Sequence, residues 1–235
     1  MKKIKKFFHE FPADFANTVG GWIAKLIWMP KIHYQEGAKG VRRPRGSALF
    51  ILNHTWWLDA PMLCLLCVRR RIHAIAAAEM FTGAMRLGLK ALRCIPVDRA
   101  STDISFMRKS LQVLRGDGCV AIFPEGILNP SGELLPFKQG AAMLALQAGV
   151  PVVPLYSLGN YQPFQRLQLI FGKPIVLSQR ASAAGVQAAT KELEEAMAQL
   201  KAQLENSVKP KYRKRAEKFR TRFAASLQET AKMEE

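Results

Sequence analysis

The chain has 235 residues, 49% of them hydrophobic and 23% charged, a balance that excludes a disordered protein and fits one α/β domain with appendages. Lysine and arginine outnumber aspartate and glutamate 35 to 18, giving a net charge of +17, which implies an anionic partner: nucleic acid, an acidic lipid surface or a phosphorylated substrate. Cys64, Cys67, Cys94 and Cys119 lie in apolar runs, without the spacing of a disulfide framework. Cys64-Leu65-Leu66-Cys67 reads as helix packing rather than a zinc or redox pair, so a reducing compartment fits best.

Residues 1–30 read as a separate unit. Ile4, Phe8, Phe11, Phe15, Val19, Trp22, Ile23 and Leu26 recur at steps of three and four, a wide apolar stripe that Gly20-Gly21 is expected to break into two helices. Lysines precede the stripe and Trp22 and Trp28 close it, which favours an amphipathic pair lying in one membrane leaflet over a helix that merely covers the core. His9, Glu10, Pro12 and Asp14 interrupt the apolar core that a secretory signal would need. The longest charge-free run, residues 141–159, contains Pro151 and Pro154 and reads as a buried helix followed by a strand, not a membrane span.

After the basic turn Arg42-Arg43-Pro44-Arg45-Gly46, the run Ala48-Leu49-Phe50-Ile51-Leu52 has the pattern of a strand buried on both faces. It leads into Asn53-His54, and Asp59-Ala60-Pro61 opens the next apolar stretch, with Asp59 expected as the N-cap of a helix. The spacing predicts strands over 72–78, 92–97, 119–123 and 150–157, helices over 81–90, 104–115 (capped from 101–103) and 139–148, and a hairpin over 167–177 around Gly172. Residues 183–206 form a helix with Leu193, Met197, Leu200 and Leu204 inside, ended by Pro210. Strands separated by helices imply an α/β fold with a mixed, largely parallel sheet flanked by helices. The boundaries are 1–30 for the membrane-associated helices, 41–206 for the catalytic domain and 207–235 for a basic helical tail. In that tail Tyr212, Phe219 and Phe223 interleave with eight cations, a pattern equally suited to a solvated helix and to attachment on anionic phospholipid.

Three predicted strand ends carry polar groups: His54 with Asp59, Asp98-Arg99, and Glu125-Gly126. In an open parallel sheet, ligands bind beyond the carboxyl ends of the strands, so the three sets can share one cleft. An Asp59 carboxylate that accepts a hydrogen bond from one imidazole nitrogen of His54 leaves the other nitrogen to take a proton. A base, a fixed cation and a carboxylate suit acyl transfer to the hydroxyl of an anionic acceptor. Without a G-x-S-x-G elbow, or a cysteine beside the histidine, direct attack by the acceptor hydroxyl is favoured over an acyl-enzyme.

Four blocks, in order, resemble the lysophosphatidic acid acyltransferase (PlsC-like) family of glycerolipid acyltransferases. Asn53-His54-Thr55-Trp56-Trp57-Leu58-Asp59 matches N-H-x4-D, and Ile95-Pro96-Val97-Asp98-Arg99 is similar to the second block. Phe123-Pro124-Glu125-Gly126 is F-P-E-G, and Val150-Pro151-Val152-Val153-Pro154-Leu155 matches the fourth block. Leu134-Leu135-Pro136-Phe137-Lys138-Gln139-Gly140 resembles the stretch that follows F-P-E-G. The match covers about residues 47–176. The resemblance implies transfer of a fatty acyl group from acyl-ACP or acyl-CoA to a lysolipid, 1-acyl-glycerol 3-phosphate being the usual acceptor and phosphatidic acid the product. His54 becomes the general base and Asp59 its orienter. Asn53, Arg99, Glu125, Gly126 and Lys138 become acceptor-site residues, Arg99 pairing with phosphate and Glu125 bonding a hydroxyl or Arg99. No metal or other cofactor is expected, because a thioester is already activated. The expected location is the cytoplasmic face of the inner membrane, as a monotopic or peripheral protein.

The family commonly continues F-P-E-G with Thr-Arg-Ser, whereas Ile127-Leu128-Asn129 stands here. The missing arginine keeps a different acceptor in view, a lyso-aminolipid or glycolipid, with Lys138 as the alternative cation. Trp56 and Trp57 replace smaller polar residues, and line an acyl path or rest on the bilayer. The competing class is a basic membrane- or nucleic-acid-binding protein without catalysis; it leaves the four blocks unexplained, and no nucleic-acid motif is present.

Overall fold

The computed structural model describes residues 19–67, 71–98 and 104–234. Its central strand, β2 (Ala48–Leu52), is buried at every position because both of its faces are covered. Leu49 and Ile51 point into one core, while Ala48, Phe50 and Leu52 point into the other. This alternation places the sheet between two helical layers. The first layer is formed by α4 (Ser105–Arg115), α5 (Gly140–Ala148) and α6 (Ala183–Ser207), whose Leu193, Met197, Leu200 and Leu204 face inward. The second contains α2 (Asp59–Leu66) and α1, helical over residues 19–28.

The remaining strands are β1 (Lys31–Tyr34), β3 (Ile72–Ala77), β4 (Ile95–Val97), β5 (Cys119–Ile122), β6 (Val152–Ser157) and β7 (Gln168–Phe171), and the sheet order is β1-β7-β6-β2-β5-β3-β4. From β6 to β4 all neighbours are parallel, while β7 runs antiparallel to β6 and carries β1 parallel to itself. The mixed, largely parallel sheet of the sequence reading is therefore present. Its parallel portion brings the exits of β2, β3, β4 and β5 to one end, with β2 and β5 side by side. That adjacency sets the H-x4-D and F-P-E-G blocks next to each other.

Several local expectations are corrected. Gly20 and Gly21 both lie within α1 and do not break it; the stripe before residue 19 lies outside the described residues. Strand β1 was not foreseen, since an edge strand of Lys31-Ile32-His33-Tyr34 is short and only partly buried. No hairpin forms over 167–177: β7 continues past Gly172 along β6, through a bridge between Val152 and Ile175. Helix α4 begins after Ile104 without a side-chain cap, and the expected capping residues 101–103 fall outside the description. Pro210 separates α6 from a further helix, α7 (Pro210–Glu234), as its first residue. A proline there leaves no helical hydrogen bond unmade.

Candidate active site

Asp59 is the first residue of α2, with Leu58 at the cap, so it does not take the N-cap position expected from Asp-Ala-Pro. Its carboxylate turns back instead. The amides of Thr55 and Trp56 donate to Oδ2 at 2.6 and 2.7 Å, and His54 Nδ1 lies 3.2 Å from the same oxygen. An ionised carboxylate can only accept, so the hydrogen of that ring contact sits on Nδ1 and Nε2 carries the free lone pair. The His54 ring stacks on Phe123 of the F-P-E-G block, centroids 3.8 Å apart and planes 19° apart. Imidazole rotation is thus restrained by a hydrogen bond on one side and an aromatic face on the other.

His54 borders a cavity of about 320 Å³ whose wall is mostly apolar: Ile75, Ala77, Val97, Phe106, Ile122 and Phe123. Gly126 and Lys138 line it as well. Gly126 has φ +73°, and an added Cβ would lie 2.7 Å from the Lys138 side chain. The left-handed backbone favours glycine there, and the Lys138 stem lies across it. Lys138 is itself exposed, and its amide donates to the Pro124 carbonyl.

Two other predicted site residues make contacts that the sequence did not indicate. Asn53 is buried and its side-chain amide is paired at both ends: Nδ2 donates to the Ser157 carbonyl at 3.0 Å, and the Ser157 amide donates to Oδ1 at 2.9 Å. It ties the exit of β2 to the end of β6 and does not line the cavity. Glu125 is only 4% exposed and accepts from Asn129 Nδ2 at 3.0 Å and the Leu135 amide at 3.3 Å. It braces the following loop through these bonds. Burial pushes its carboxyl above the usual carboxylate range, with the hydrogen bonds from Asn129 and Leu135 opposing the shift. Arg99 lies outside the described residues.

Four residues that the sequence did not mark as part of the site lie beside it. Asn129 joins the blocks: its amide donates to the His54 carbonyl at 2.7 Å, and Nδ2 also reaches the Glu133 carbonyl at 2.7 Å. The Asn-Pro-Ser-Gly run signalled a turn, but no spacing rule names a partner 75 residues back in the chain. Tyr161 donates its phenol proton to Asp59 Oδ1 at 2.5 Å. Phe219 of α7 packs edge-on against Trp56, with ring centroids 5.2 Å apart, and Phe223 does the same at 6.0 Å. Trp56 thus anchors the basic tail on the H-x4-D block instead of lining the cavity, while Trp57 is half exposed. The Cys64-x-x-Cys67 pair is buried and free.

A sequence profile of the Acyltransferase family matches residues 33–158. The human 1-acyl-sn-glycerol-3-phosphate acyltransferase alpha is 34% identical over 124 residues, which cover 52% of this chain and 44% of the relative. The 1-acyl-sn-glycerol-3-phosphate acyltransferase of Limnanthes alba is 28% identical over 156 residues, 65% of this chain and 53% of the relative. The chain spans about half the length of these curated relatives. Among solved structures, the crystal structure of the 1-acyl-sn-glycerophosphate (LPA) acyltransferase PlsC from Thermotoga maritima superposes with a TM-score of 0.60 at 19% identity, covering 86% of this chain and 83% of that one, a likeness of fold.

Proposed function

The chain belongs to the acyltransferase family, and from that premise we propose that it moves a fatty acyl group from an acyl-ACP or acyl-CoA thioester to the hydroxyl of a lysolipid, 1-acyl-glycerol 3-phosphate, giving phosphatidic acid. The observation that carries this reading is the His54–Asp59 pair at the edge of an apolar cavity. His54 Nε2 takes the proton of the acceptor hydroxyl as its oxygen attacks the thioester carbonyl. The tetrahedral intermediate collapses with loss of the thiolate, and the imidazolium returns the proton to that sulfur. The acyl chain lies along Ile75, Val97, Phe106 and Ile122, where its burial is favourable. Lys138 at the cavity, together with Arg99, holds the acceptor phosphate. Direct transfer is supported by the state of the thiols: burial pushes Cys67 and Cys94 up to about 12, which suits neither to nucleophilic attack.

The reaction belongs at a membrane surface. Trp22, Ile23 and Leu26 of α1 are exposed, while Ala24 of the same helix is buried and the Trp28 indole donates to the Tyr161 carbonyl. One side of α1 therefore docks on the domain and the other offers apolar surface, a pattern suited to a bilayer. No described helix is long and apolar enough to cross a membrane. Monotopic or peripheral attachment fits, and free thiols fit a cytoplasmic face.

Free thiol is the readout that tests the transfer. Acyl-CoA or acyl-ACP incubated with 1-acyl-glycerol 3-phosphate should release it, and no release with any lysolipid would reject the proposal. Leu128, standing where the family commonly has arginine, favours a second acceptor class. Release with a lyso-aminolipid or glycolipid, but not with the phosphate acceptor, would select that reading.

A further inference from the structure

Tyr161 lies beyond the fourth block, 102 residues after Asp59, and is 2% exposed. Asp59 Oδ2 accepts from the Thr55 amide, the Trp56 amide and His54 Nδ1. Among the described residues its other oxygen has one close donor, the Tyr161 hydroxyl at 2.5 Å; Thr55 Oγ1 stands off at 3.4 Å from both oxygens. Without the phenol, Oδ1 would be a buried oxygen with no close donor among the described residues, and the carboxylate would be held through Oδ2 alone, with more freedom to tilt against the His54 ring. Burial and the Asp59 charge push the phenol well above its ordinary range, so it stays a donor. The tyrosine has neighbours on two further elements. Trp28 of α1 donates to its carbonyl at 2.7 Å, and its ring meets Trp56 and, on α7, Phe219, at 5.1 and 6.5 Å between centroids.

We propose that Tyr161 is a positioning residue for acyl transfer, its hydroxyl locking the Asp59 carboxylate so that Oδ2 stays on His54 Nδ1. The inference rests on the acyltransferase reading for its catalytic consequence, though not for the geometry.

The test is Tyr161→Phe in the full chain, read in two ways. In the nitrogen-15-labelled protein the His54 Nδ1 proton should give a downfield resonance, identified by its loss in His54→Gln, that broadens through faster exchange with water in Tyr161→Phe. In the thiol-release assay kcat should fall about tenfold, the factor of one hydrogen bond of ordinary net strength, with both KM values within about twofold of the parent. Phe219→Ala loosens the same aromatic packing and keeps the hydroxyl, and should retain the resonance and kcat. A sharp resonance with unchanged kcat in Tyr161→Phe overturns the proposal, as does the same loss in Phe219→Ala, since packing alone would then explain it. If the parent transfers no acyl group while the resonance still broadens in Tyr161→Phe, the acyltransferase reading fails and the Tyr161–Asp59–His54 relay stands.

Discussion

At His54 the chemistry depends on which ring nitrogen holds its hydrogen, and that is decided by an acceptor-only carboxylate 3.2 Å from Nδ1. Replacing His54 with alanine should lower thiol release by about 10²- to 10⁴-fold, the usual contribution of a general base, and leave a folded protein by circular dichroism. Asp59→Asn would set an amide NH2 either against the ring N–H and both backbone N–H donors now on Oδ2 or against the Tyr161 hydroxyl now on Oδ1. Both activity and stability should fall, the latter by about 1–3 kcal/mol in urea unfolding, as for a buried donor left unmatched. Glu125 gives a pH-dependent case. Its carboxyl is raised by burial, so the folded state holds that proton more tightly than the unfolded chain does. The stabilisation is complete below the ordinary carboxylate range and is lost as pH rises through the folded value. As pH rises above the ordinary carboxylate range, about 4, the parent should therefore lose urea resistance relative to Glu125→Gln, and parallel curves would refute this.

Among the elements, α7 departs furthest from its sequence. Its run of cations suits a solvated or lipid-bound helix, and one side of it docks on the domain: Ala216 is fully buried and Phe219 and Phe223 reach Trp56. Arg220 donates to the Leu158 carbonyl at 2.5 Å and lies against Gly132, where φ is +82°. Any side chain at Gly132 would collide with that guanidinium, in a backbone conformation already costly for L-residues. Gly132→Ala should therefore destabilise the protein by at least about 1–2 kcal/mol in urea unfolding. The helix itself was legible from its composition; its dock was not. An aromatic in a helix meets a partner chosen by the fold, and Trp56 lies far away in the chain.

For the molecule as a whole, the excess of cations, 35 against 18 anions, and the exposed apolar side of α1 are the two features on which the proposed bilayer attachment rests. Deleting residues 1–28 should move the protein from the membrane pellet to the supernatant, and pelleting unchanged would refute the anchoring role. The full chain should bind vesicles containing anionic lipid and release partly as salt rises, because exposed charges are screened while apolar contact persists. Loss of all binding at high salt would mean that the apolar surface contributes nothing.

The sequence by itself determined the parallel strands, the order of the four blocks and the pairing of His54 with Asp59. These rest on local runs: an apolar strand, five residues of spacing, a proline one turn into a helix. It also named Asn53 and Glu125, though as binding groups. Only the tertiary structure decided that their polar atoms close onto Ser157, Asn129 and Leu135. It likewise decided that Tyr161 completes Asp59 and that Trp56 faces the tail. The physical reason is that a buried polar atom must find a partner wherever the packed chain supplies one, and chain separations of 102 and 104 residues leave no periodic trace.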